Sequence, residues 1–153
     1  MNAVINLMLQ SLKEGKDKVV TEISKYRNKT FLQATVASVI YIAMADGSIT
    51  PDERSKLFAY IKEADELSAF SSDDVINVYK DIIKYYDFDS KIGNAEALKI
   101  IGGMKSQDEE QILFIVRAAC VIAMKNGVLQ DAEKEAVDRI CHELGISLDK
   151  VQI

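Results

Sequence analysis

Ile42-Ala43-Met44-Ala45-Asp46-Gly47 and Ile122-Ala123-Met124-Lys125-Asn126-Gly127 are two copies of one pattern. The pairing continues at the same offset of 80, with Ile49 matching Leu129, Glu53 matching Glu133, Arg54 matching Lys134 and Leu57 matching Val137. Each glycine is preceded by a stretch that is apolar on nearly every side, the pattern of a buried helix. Each is followed by a stretch with a single apolar face. One copy therefore reads as buried helix, tight glycine turn and amphipathic helix. Two such hairpins, about 31–64 and 107–144, pack into a pseudo-symmetric bundle around their buried members.

Outward from the repeat the signals stay helical, without strand alternation or hairpin dipeptides. A first stretch is expected from about Val4 to Tyr26, with Gly15 as a break or kink, and a second from about Lys29 to Ala45. Thr50-Pro51-Asp52-Glu53 combines an N-cap, a proline at the first helical position and a capping-box glutamate, and starts a helix to about Ala64. Ser71 to Asp74 starts another, through about Tyr86. Asp87-Phe88-Asp89-Ser90 breaks the chain before a stretch from about Lys91 to Lys105. Ser106 to Glu109 reads as a second capping box, opening a helix to about Lys125. The last long helix is expected from about Asp131 to Leu144, with Gly145 as a left-handed cap. The residues after Ser147 leave room for one more turn. The fold expected is an all-α, single-domain helical bundle of about seven helices over 1–153.

A chain of 153 residues that is 48% hydrophobic can build one real core. Acidic residues outnumber basic ones, 24 to 19, for a net charge of −5. That balance argues against nucleic-acid binding, which needs a basic face. The longest apolar run, Ile112 to Met124, is interrupted by Arg117 and falls short of the ~20 residues that span a bilayer. The N-terminus lacks the basic region and cleavage site of a signal peptide. A cytoplasmic protein without direct membrane insertion is expected. Cys120 and Cys141 sit among apolar neighbours and read as reduced core residues. Arg117 is either a buried charge with an acidic partner or a side chain that reaches the surface.

Three acidic places invite a cation. The first turn offers Asp46 and Glu53, with Asp52 and loop carbonyls beside them. It matches the second half of a calcium loop, but Ile42 and Met44 stand where the first two oxygen ligands belong, so it is no EF-hand. In the second turn Asn126 replaces the aspartate and Glu133 remains, near Asp131 and Glu135; any metal here is expected to bind more weakly. The third place is Asp87-Phe88-Asp89, followed by Gly93 and Glu96. At each, helix capping is the competing explanation. Hydrolytic chemistry is poorly supported: His142 is the single histidine, and no nucleophile elbow, phosphate loop or dinucleotide fingerprint occurs.

These residues together resemble the tellurite-resistance protein TerB family. The resemblance rests on Lys25-Tyr26-Arg27-Asn28-Lys29-Thr30-Phe31, on Ala45-Asp46-Gly47 with Glu53, on Phe88-Asp89 leading into Ile92-Gly93 and Glu96, and on Arg117 before Ala123 and Gly127. It covers nearly the whole chain. It implies a non-enzymatic, cytoplasmic stress-response protein. It also implies metal binding through acidic residues, here Asp46, Glu53, Asp89, Glu96 and Glu133, and association with other tellurium-resistance proteins, including membrane-associated ones. Asn126 departs from the family's second Asp-Gly turn. The expectation is a weak divalent site for Ca, Mg or Mn, with metal candidates Asp46, Glu53, Asp87, Asp89, Glu96 and Glu133. The alternatives are a pure interaction scaffold and, ranked last, a metal-assisted enzyme using Asp46 and Glu53. Tellurite is an oxyanion, and an acidic protein with core cysteines is a poor direct reagent for it.

Overall fold

The computed structural model describes residues 17–65, 67–124 and 127–151, with side chains from residue 28 onward. Among the described residues it holds six α-helices: α1 (Asp17–Ala45), α2 (Pro51–Glu63), α3 (Ser72–Phe88), α4 (Ser90–Gly102), α5 (Glu109–Ala123) and α6 (Asp131–Leu144). A short 3-10 turn, Leu148–Lys150, closes the described chain. The all-helical single domain agrees with the sequence. Among the described residues the count is six rather than the expected seven. The break expected between Tyr26 and Lys29 does not exist, and α1 runs through it without interruption. Lys, Arg and Asn are tolerated in a helix interior, and no Gly or Pro stands there to stop it. The expected stretch before Asp17, with Gly15, lies outside the described residues.

The boundary chemistry is mostly as the sequence implies. Thr50 caps α2 with its hydroxyl accepting from the Glu53 N–H at 3.1 Å, and Glu53 Oε1 accepts from the Thr50 N–H at 3.0 Å. Ser71 and Asp74 form the same reciprocal pair at the start of α3. Gly145 ends α6 in the left-handed region, φ 71° and ψ 29°. One cap is corrected. Asp108, not Ser106, caps α5, accepting from the Glu110 and Gln111 N–H groups. Ser106 instead turns the chain at φ 64°. An aspartate one residue before the helix reaches these amides directly, so no box is needed. The polar break after α3 shrinks to one residue, because Asp89 both ends α3 and starts α4. In turn α4 stops at Gly102 and the chain leaves helix before Lys105.

Helix α1 is the axis of the molecule. From Phe31 to Ala43 only Gln33 and Tyr41 are less than fully buried. Helices α4 and α5 pack most heavily on it, and α6 crosses it as well. Helix α5 is more open than its composition suggests. Arg117 and Val121, one turn apart, face solvent. Arg117 is therefore the surface-reaching side chain of the two readings, with no buried charge to be paired. The repeat survives in three dimensions with an exchange of partners. Helix α2 packs more on α5 than on α1, and α6 more on α1 than on α5. Each amphipathic helix thus touches both long helices and leans toward that of the other copy.

Candidate functional site

The two glycine turns are where the sequence places chemistry. Gly47 adopts φ 110° and Gly127 φ 75°. Both lie in the left-handed region that glycine enters without cost, which explains its presence in both copies. Ile49 and Leu129, two residues on, are each 9% exposed and anchor the turns to the core. Asp46 is exposed and Glu53 is buried. Arg54 donates from its guanidinium to the Ile49 carbonyl at 3.3 Å. That bond takes one of the loop carbonyls that a cation in the first turn would need and brings a positive charge beside it.

The second turn is arranged differently. Glu133 is 1% exposed, deeper than Glu53 at 6%. Its Oε1 accepts from the Gln130 N–H at 2.9 Å, as Glu53 Oε1 does from Thr50. Its Oε2 is buried and has no hydrogen-bond partner among the described residues. A buried carboxylate oxygen without a donor is costly, because it has lost water and gained nothing. Lys134, which matches Arg54, is exposed. Asp131 and Glu135 are exposed as well. Asn126 lies outside the described residues.

The third place resolves into separate roles. Asp89 accepts from the Lys91 N–H at 2.8 Å and the Ile92 N–H at 3.2 Å, capping α4. Asp87 is exposed beside Phe88, whose ring is 80% exposed. Glu96 is half-buried and lines a groove of about 260 Å³ with Gln33, Asp81, Lys84 and Tyr85. Gly93 lies against the Tyr86 ring, and the Tyr86 hydroxyl donates to Asn94 Oδ1 at 2.9 Å. Among the described residues no three His, Cys, Asp or Glu side chains converge on a point that could hold a metal ion.

Both cysteines are reduced and buried. Burial first, and the neighbouring Cys141 second, push the Cys120 thiol up to about 12. Burial first, and Asp138 second, push Cys141 up to about 11. Neither is a thiolate near neutral pH, and the thiolate is the reactive form. No described helix is long and apolar enough to cross a membrane.

One feature is invisible in the linear pattern. Phe31 of α1 and Phe114 of α5 meet edge-on with ring centroids 5.5 Å apart, and Tyr60 of α2 meets Phe114 at 6.4 Å. Beside them lies a cavity of about 220 Å³ lined by Phe31, Ala64, Asp65, Glu110, Gln111 and Phe114. Its residues come from three helix regions far apart in sequence, so no spacing rule finds it.

The sequence profile described as "Tellurite resistance protein TerB" matches residues 32–152. A protein of Alcaligenes sp, named "Tellurium resistance protein TerB", is 30% identical over 110 residues, covering 72% of this chain and 90% of that one. No solved structure matches the chain. With most of its length matched on both counts, the chain belongs to the TerB family of tellurite-resistance proteins.

Proposed function

We propose that the protein is a non-enzymatic module of tellurite resistance that holds a divalent cation weakly and docks onto other proteins of the same system. The Glu133 carboxylate carries the cation half of this reading. Its Oε2 is buried without a partner at the turn that repeats Asp46-Gly47. A Ca, Mg or Mn ion completed by loop carbonyls and water would supply what that oxygen lacks. The first turn is less suited, since Arg54 already holds the Ile49 carbonyl. This reverses the order expected from Asp46 and Asn126. With so few carboxylates, affinity belongs at the weak end for protein calcium sites, on the order of 10⁻⁴–10⁻³ M. Family membership supports the docking half, and with it a cytoplasmic location peripheral to the inner membrane through partners.

A scaffold without metal is the second reading. It is favoured by the oxygens of Glu53, Asp89 and Glu133 that are already bonded to backbone amides. Thermal unfolding of chelator-treated protein with Ca²⁺, Mg²⁺, Mn²⁺ and Zn²⁺ titrated in separates the two. An ion at a hundred times its Kd adds about 2.7 kcal/mol. For a chain of this size that is a rise of roughly 5–11 °C. The expected result is a saturable rise with a hard cation that Glu133→Gln abolishes. No saturable rise with any ion leaves the scaffold.

A further inference from the structure

The cavity between α1, α2 and α5 has a chemistry of its own. Two aromatic rings share its lining, Phe31 at 3% exposure and Phe114 half-buried. Two exposed carboxylates, Asp65 and Glu110, share its lining. At about 220 Å³ it is the size of one long side chain rather than a cofactor. An aromatic face beside carboxylates selects one class of group. A neutral apolar side chain would leave the carboxylates unused, and an anion would be repelled. A guanidinium or ammonium on an aliphatic stem uses both, with the stem and the cation on the ring and the head on the carboxylates.

The surface next to the groove already draws a cation. Lys150 reaches from the C-terminal turn to Glu109, one residue from Glu110, with Nζ to Oε1 at 3.3 Å. The amide end of α5 carries partial positive charge, which Asp108, Glu109 and Glu110 together outweigh. The protein's net charge of −5 steers in the same direction.

We propose that this groove is the contact point for a basic partner protein and receives an arginine side chain from it. The inference deepens the docking half of the proposed function and rests on it. A planar, weakly hydrated guanidinium both stacks on a ring and pairs with carboxylates, which favours arginine over lysine.

The test is an amide chemical-shift titration of the intact protein in metal-free buffer, with N-acetyl-arginine amide as probe and N-acetyl-norleucine amide as its uncharged counterpart. A single side chain is expected to bind with a Kd on the order of 1 mM. Saturable shifts should centre on Phe31, Ala64, Asp65, Gln111 and Phe114, and the norleucine probe should bind at least about tenfold more weakly. The double variant Asp65→Asn with Glu110→Gln, both exposed and outside the core, should lose about tenfold for arginine and little for norleucine. Phe114→Leu tests the ring separately and should weaken arginine binding several-fold in protein whose melting shows it folded. Shifts spread evenly over the acidic surface, or unchanged in the double variant, overturn the groove. So does equal binding of the two probes. A flat arginine titration, in protein that still binds purified tellurium-resistance proteins, sinks the groove and leaves docking standing. A saturable titration without any such binding does the reverse.

Discussion

At the scale of single residues, two side chains and one missing side chain explain most of the molecule's local logic. Glu53 and Glu133 occupy matching places, and each spends Oε1 on a backbone amide three residues earlier. They differ in the second oxygen, where Glu133 is stranded. That difference is what a cation would exploit. Gly93 is the missing side chain. A Cβ built there clashes with the Tyr86 ring, while at Gly102 the nearest outside atom is Glu143 Oε2 at 3.7 Å. Gly93→Ala therefore trades a helix-propensity gain of about 1 kcal/mol against an overpacking cost of typically 1–3 kcal/mol. The net expectation is a loss of roughly 0–2 kcal/mol in urea unfolding, together with a disturbed Tyr86 environment in near-ultraviolet circular dichroism. Gly102→Ala should be neutral or gain up to about 1 kcal/mol. Equal effects of the two substitutions would refute the role given to the Tyr86 contact.

At the scale of elements, the caps were readable because they are local. Thr50-Pro51-Asp52-Glu53 and Ser71 to Asp74 place donor and acceptor within four residues, and both behave as their spacing requires. Ser106 to Glu109 has the same letters and does something else, because Asp108 reaches the amides first. Helix α1 shows how burial reshapes the value of a polar side chain. Thr35 is fully buried, but its hydroxyl donates to the Phe31 carbonyl at 2.8 Å. Ser38, one turn on, is equally buried and its Oγ has no partner. An unpaired buried hydroxyl costs about 1–3 kcal/mol, and alanine is the better helix former. Ser38→Ala should therefore raise stability, by roughly 0.5–1.5 kcal/mol after the loss of the oxygen's packing. Chemical denaturation at constant m-value measures it, and a loss of stability would mean that the hydroxyl is satisfied in solution.

At the scale of the whole molecule, the exchange of partners between the copies makes one cooperative core. Each amphipathic helix packs on both long helices and more on that of the other copy, so neither hairpin stands apart from the other. The buried ionisable groups tie that core to pH. The thiols of Cys120 and Cys141 are pushed up from an ordinary 9.0 to about 12 and about 11. Burial likewise raises the Tyr86 hydroxyl, with Tyr41 adding to it. These are acids whose folded form holds the proton more tightly than the unfolded chain does. Their contribution is complete below pH about 9 and declines as pH rises from there toward the folded values. The urea midpoint should accordingly be flat near neutrality and fall between about pH 9 and 11. The Cys120→Ala, Cys141→Ala double variant should start lower, through lost packing, and fall less steeply. A slope identical to the wild type's would place the alkaline sensitivity elsewhere.

What the sequence determined by itself was everything carried by short range and by period: the all-α class, the repeat at an offset of 80, the glycine turns, most caps and the buried character of α1. Hydrophobic period and capping act within a few residues, so a single strand of letters contains them. The same letters led to the TerB family, which the match over 32–152 confirms. Tertiary structure decided the rest. It joined the stretches on either side of Arg27 into one helix, exposed Arg117, and crossed α2 and α6 onto each other's partner. It sank Glu133 below Glu53 and gathered Phe31, Asp65, Glu110 and Phe114 around one cavity. Which oxygen keeps its water and which ring meets which carboxylate depend on how distant helices pack, and packing is a property of the assembled core rather than of any window of sequence.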